Sequence, residues 1–170
     1  MTNPERPTPQ LPKLPTSNIE PDSGLQAQTE EWFEYRVKAQ PHHTDYAGVV
    51  WHGSYITWME EARVEYLRSI GIDFADLVAM GCNLPVVELS LRYHRPVRLG
   101  ESAIVKTRLT ESTGVRLDWD YRIESSDGEQ LFVTGKVTLV GVDRDKGKIM
   151  RQLPPDVKDA LVKMSNGQIS

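Results

Sequence analysis

Cysteine is almost absent from this 170-residue chain, where Cys82 stands alone. A single cysteine cannot form an internal disulfide, and it excludes a cysteine-rich zinc site. A reducing compartment, the cytoplasm, is the expectation that follows. No apolar run approaches the length needed to cross a bilayer. The first residues lack the apolar stretch of a secretory signal, so neither a membrane partner nor export is expected. Basic residues are not in excess: 20 Lys and Arg against 24 Asp and Glu leave a net charge of -4. That balance gives no support to a nucleic-acid surface. A Gly-x-Ser-x-Gly elbow is missing, which argues against an α/β-hydrolase serine mechanism. A glycine-rich phosphate cradle is missing too. What is present, 39% apolar and 26% charged residues, suits one soluble domain able to bury a core.

The chain divides by composition. Residues 1–28 hold six prolines and hardly any large apolar side chains. Such a stretch cannot offset the entropy of ordering, so a disordered tail is expected there and a single domain over 29–165. From Trp32, the residues Phe33, Tyr35, Val37 and Ala39 alternate with charged ones, the period of a half-buried strand. Pro41 ends it. From Ser54 to Ile70 the period changes: Tyr55, Trp58, Met59, Ala62, Tyr66 and Ile70 recur at three- and four-residue spacing along one helical face. Ser54 reads as its N-cap and Gly71 as its stop. Asp73 to Met80 reads as a short second helix.

Strand periodicity then takes over. Val87 to Tyr93, Ala103 to Leu109, Val115 to Glu124 and Leu131 to Val142 read as four strands, with a hairpin turn at Ser126-Asp127-Gly128 and a bulge at Gly135. Pro154 to Met164 reads as a terminal helix. Short links between strands require antiparallel neighbours. A helix of this length spans roughly 25 Å, and ten-residue strands at roughly 33 Å can curl along all of it. The expected class is α+β: one long helix wrapped by a curved antiparallel sheet, the hotdog architecture.

Chemistry concentrates in "HTDYAGVVWHGSY", residues 43 to 55. A carboxylate, Asp45, stands just before the start of a helix, whose free N–H groups and dipole can hold an oxyanion. A carboxylate can also attack a carbonyl, or act as general base toward water. Local chemistry alone favours reading Asp45 as a loop carboxylate or an ordinary Asx-turn. Gly48, beside Val49, is a turn glycine or a point of close backbone approach. The His52 imidazole is a base or a packing group at the helix mouth. His42, His43, Asp45 and His52 match no zinc spacing, so no metal is expected. Glu61, on the helix, is a second candidate acid. Arg92, His94, Arg95 and Arg98 cluster around Pro96 and form either a solvated rim or a phosphate contact.

The stretch "TDYAGVVWHGSYITWMEEARVEYLRSIGI" resembles the 4-hydroxybenzoyl-CoA thioesterase-like family, including its bacterial Tol–Pal-associated branch. "RYHRPVRLGE" resembles the family's Tyr-x-x-Pro strand and turn, and the likeness spans about residues 32–142. Ser54 stands where relatives carry Asn, and Glu101 where they carry Asp. The resemblance implies hydrolysis of an acyl-CoA, or an acyl-carrier-protein thioester, to free acid and thiol. It implies that Asp45 is the catalytic carboxylate and that the backbone N–H of His52 polarises the carbonyl. Gly48, Val49, Ser54, Tyr55 and Arg95 are then expected to line the substrate. No cofactor is implied, and the family's sites lie between subunits, so a homo-oligomer is expected, a dimer or tetramer. A hotdog dehydratase lacks its His-centred motif here. A non-catalytic acyl-CoA or carrier-protein binding module is the rival from another class.

Overall fold

A computed structural model of the chain describes residues 31–165, and the proline-rich stretch expected to be disordered lies outside them. Strand β1 (Phe33–Lys38) is followed by a 3-10 turn at Pro41–His43, the long helix α1 (His52–Ser69) and the short helix α2 (Phe74–Ala79). Strands β2 (Cys82–Asn83), β3 (Val86–Tyr93), β4 (Ser102–Thr113), β5 (Arg116–Ser125), β6 (Leu131–Val140), β7 (Val142–Asp143) and β8 (Lys148–Ile149) come next, and α3 (Pro155–Ser165) ends the series.

The main sheet is antiparallel throughout, in the order β1-β4-β5-β6-β3. Its register explains the alternation along each strand. Phe33, Thr107, Tyr121, Gly135 and Leu91 form one row across the sheet, and Tyr35, Val105, Ile123, Val133 and Tyr93 form the next. These rows face α1. Tyr66 stacks on Phe33 at 4.8 Å and meets Trp119 edge-on at 5.9 Å. Trp58, Met59, Ala62 and Leu67 complete the buried face of the helix. One long helix laid on an antiparallel sheet is the hotdog fold.

The opposite face of the sheet is charged and paired within the chain. Lys106 meets Glu34 and Glu124, Arg108 meets Asp120, and Arg116 meets Asp118. One cation faces inward instead. Arg63 is 4% exposed and donates from Nη1 to the Tyr121 hydroxyl at 2.7 Å.

Three expectations need correction. Helix α1 begins at His52, two residues early, and its N-cap is Trp51, not Ser54. Gly135 is in register with Tyr121 and Leu91, so it is no bulge. A Cβ there would stand 2.7 Å from Leu91 Cδ2 and 2.9 Å from Met59 Cε, so the missing side chain lets α1 approach the sheet. The last strand breaks at Gly141, and its end, β7, joins β2 and β8 in a small second sheet.

Candidate active site

The loop from Asp45 to Val49 is tightly closed. Asp45 N–H donates to Val49 O at 2.9 Å, and Gly48 N–H donates to Asp45 O at 3.1 Å. Gly48 sits at φ +72, and nothing lies within 4 Å of where its Cβ would be. It is therefore a turn glycine, chosen for the left-handed backbone. The loop is strapped to the later motif: Val49 bridges Arg98, Leu99 N–H donates to Gly48 O, and Val50 N–H donates to Val97 O. The turn of that motif is closed by Glu101, whose carboxylate accepts from Arg98 N–H at 2.8 Å. A glutamate thus closes this turn as the shorter aspartate expected from the family pattern would.

Asp45 does two things at once. Its Oδ1 accepts from Ala47 N–H at 2.8 Å and from Val49 N–H at 3.4 Å, which is the Asx-turn. Its Oδ2 accepts nothing within the described residues, and the side chain is exposed. The turn holds one oxygen and leaves the other available.

His43 ties this loop to the helix. Its carbonyl accepts from Trp51 N–H and from Ser54 Oγ, both at 2.9 Å. Its Nδ1 accepts from Gln40 N–H at 3.0 Å, and burial with the neighbouring His42 pushes the imidazole below its ordinary range. A neutral ring is what that acceptor role requires.

At the mouth of α1 the Trp51 side chain makes no capping bond. Ser54 N–H turns back to Trp51 O at 2.8 Å. The N–H groups of His52 and Gly53 meet no acceptor among the described residues. Two adjacent donors at a helix N-terminus, backed by the helix dipole, are suited to an oxygen that gains negative charge.

A cavity of about 270 Å³ opens beside them, lined by Val50, His52, Tyr55, Tyr93, Arg95 and their neighbours. Of the expected site residues, His52, Tyr55 and Arg95 meet there. Asp45, Gly48 and Val49 lie on the adjoining loop, and Ser54 is turned inward with its hydroxyl committed to His43. Glu61 does not line the cavity; it accepts from the Tyr35 hydroxyl at 3.4 Å. A larger cavity, about 490 Å³ between the end of β4 and α3, contains none of these residues. Among the described residues, free donors and a carboxylate loop adjoin at the smaller one and not at the larger.

Further contacts shape this mouth, some made by the expected Tyr55 and others by Tyr93 and Trp51, which were not singled out from sequence. Tyr55, its burial holding the hydroxyl in the protonated form, accepts from Val97 N–H at 3.0 Å. Tyr93 donates to His52 O at 2.9 Å. The Trp51 indole lies over Gly53, where a Cβ would stand 1.9 Å from Trp51 Cζ3. The Tyr-x-x-Pro spacing and the glycine two residues after Trp51 were the signals available for Tyr93 and Trp51. Among the described residues no group of three His, Cys, Asp or Glu is placed to hold a metal. No helix there is long and apolar enough to cross a membrane.

Comparison with known proteins bears on what this geometry is for. Residues 39–161 match the family model of the thioesterase-like superfamily. A candidate esterase of Synechocystis sp., sll0410, is 55% identical over 162 residues, covering 94% of this chain and 98% of its own. The acyl-CoA thioester hydrolase YbgC of Escherichia coli is 31% identical over 125 residues, covering 74% and 92%. Among solved structures, the DHNA-CoA thioesterase of Staphylococcus aureus superposes with a TM-score of 0.74 at 30% identity, covering 82% of this chain and 97% of that one.

Proposed function

Because the chain belongs to the thioesterase-like superfamily and is a thioester hydrolase, we propose that it hydrolyses an acyl-CoA with Asp45 as the reacting carboxylate. One observation carries this reading: a tethered carboxylate with one free oxygen adjoins a helix mouth with two free N–H groups. The thioester oxygen sits against the N–H groups of His52 and Gly53. Asp45 either attacks the carbonyl carbon directly or takes the proton of an attacking water. The oxyanion formed is held by the two donors, and its collapse expels the thiolate. Thiolate is a good leaving group, so no dedicated general acid is needed. Arg95, at the rim of the cavity, is placed to meet the coenzyme A phosphates. Within the superfamily the residue 45–55 motif supports the 4-hydroxybenzoyl-CoA thioesterase-like branch, with its Tol–Pal-associated enzymes. A free, buried Cys82 suits a reducing cytoplasm.

The working form is an oligomer, a dimer at minimum and by the family pattern a tetramer. Two edges bound the main sheet. The β1 edge carries Glu34, Arg36 and Lys38, charges that discourage pairing. The β3 edge exposes Val86, Val87, Leu89 and Tyr93, an apolar edge that a second copy would cover. Sedimentation of fully active enzyme as a monomer at micromolar concentration would refute this.

Asp45→Asn tests the catalytic assignment. It keeps the acceptor oxygen of the Asx-turn but removes the charge. The expected result is thiol release slower by about two orders of magnitude or more, with acyl-CoA binding and melting temperature nearly unchanged. Near-normal turnover would overturn the assignment and shift attention to Glu61 or the His52 imidazole.

A further inference from the structure

The cavity at the helix mouth contains a hydroxyl that the mechanism above does not use. Tyr93 reaches from the end of β3 and donates to His52 O at 2.9 Å. That carbonyl and the Gly53 N–H are the two ends of one peptide group, and the Gly53 N–H is one of the two open donors. Helix geometry directs the Ile56 N–H to the same oxygen. A carbonyl that accepts two hydrogen bonds draws charge from its amide nitrogen, and the N–H opposite becomes the stronger donor. The same peptide is crowded by the Trp51 indole, which occupies the space a Gly53 Cβ would take. The Tyr93 ring is itself held edge-on to Tyr55 at 5.6 Å, and Tyr55 is anchored to Val97 N–H. Partial desolvation in the cavity raises the Tyr93 hydroxyl above its ordinary range, so it stays protonated and donating at neutral pH.

The geometry points to Tyr93 as a positioning residue for thioester hydrolysis, one that orients and polarises the His52–Gly53 peptide so that the Gly53 N–H receives the developing oxyanion. The inference rests on the reading that the helix mouth binds the thioester oxygen. Because His52 O already has its helical partner, the added bond contributes little to the fold. Its effect falls at the other end of the peptide, on the Gly53 N–H.

Tyr93→Phe keeps the ring and its contact with Tyr55 and removes only the hydroxyl. The expected result is a kcat lower by about five- to tenfold, less than for a directly lost oxyanion donor, with KM within about twofold and an unchanged Tm. A rise in KM with kcat intact would make Tyr93 a binding residue and overturn the proposal. A second measurement reads the polarisation itself. In the Asp45→Asn background, the infrared carbonyl stretch of bound, carbonyl-13C-labelled benzoyl-CoA and hexanoyl-CoA should fall below its frequency in water. Adding Tyr93→Phe should return part of that shift. An equal shift in both proteins would sink the role of Tyr93 while leaving the helix-mouth donors in place. No shift in either would instead remove the helix-mouth reading on which the inference stands.

Discussion

At its C-terminal end helix α1 closes the backbone groups that its N-terminal end leaves open. Past Ser69 the chain turns through Gly71 at φ +87. Ile72 N–H donates back to Leu67 O at 2.9 Å and Gly71 N–H to Arg68 O at 3.0 Å, a Schellman closure with Ile72 buried beneath it. Arg68 pairs with Glu65 and with Asp73, and Asp73 in turn caps α2 by accepting from Ala75 N–H at 2.8 Å. At the other end the N-cap is a tryptophan whose side chain makes no capping bond, and two N–H groups stay open among the described residues. A side-chain cap there would stabilise the helix by about 1 kcal/mol. Its absence at the mouth, in a helix so fully closed at its tail, forgoes that stability and leaves free the donors that the proposed mechanism uses.

The contrast breaks most sharply if the mouth is capped. Trp51→Asp places a carboxylate where it accepts from Gly53 or Ser54 N–H, while Trp51→Ala removes the indole without adding an acceptor. The two variants therefore differ by the capping carboxylate. The Asp variant should be more stable than the Ala variant by about 1 kcal/mol in denaturant unfolding, yet slower in thiol release by about tenfold or more. Equal turnover in both would mean that the open donors are not used.

Disturbing the tail should do the reverse. Gly71→Ala forces a side chain into the left-handed region at a cost of roughly 1–2 kcal/mol. For a chain of this size each kcal/mol lowers Tm by about 2–4 °C, and kcat should be unaffected. A variant that keeps its Tm but loses turnover would show that the two ends are not separable.

The smallest effect belongs to pH. The Ala75 N–H, followed by the Arg68 guanidinium, holds the Asp73 carboxyl below its ordinary value. A carboxyl depressed in the folded state contributes stability that is fully present above its unfolded pKa, about 4. That contribution is lost as pH falls below that value and through the folded pKa. Asp73→Asn should therefore flatten the acid limb of the stability curve slightly. Identical acid limbs in the two proteins would remove Asp73 from the account of the tail.

Much of this was legible beforehand, and the failures share a cause. The alternation of Leu117, Trp119, Tyr121 and Ile123 with charged residues places a strand correctly, because a side-chain period of two is a property of the strand itself. Gly71 was legible as a stop for the same local reason. Ser54 looked like a cap because it has a cap's chemistry, but its hydroxyl goes to the His43 carbonyl, which only the folded loop brings near. Gly135 looked like a bulge, and its reason is the approach of Met59 from a helix more than seventy residues earlier. Arg63 carries a charge and so dropped out of any apolar face, although Tyr121 makes its burial possible.

The carboxylate and helix-mouth segment could be found from residues 43–55 by themselves, since loop, acid and helix start are contiguous in the chain. So could the elements and their antiparallel connection, because periodicity and link length are local. Tertiary structure alone decided that β3 lies at an edge, that Tyr93 thereby reaches His52, and that Val97 to Leu99 strap the Asp45 loop. Those contacts join segments some forty to fifty residues apart. Hydrogen bonds across such separations depend on strand order and register, which follow from packing the whole apolar face at once and from no window of the sequence.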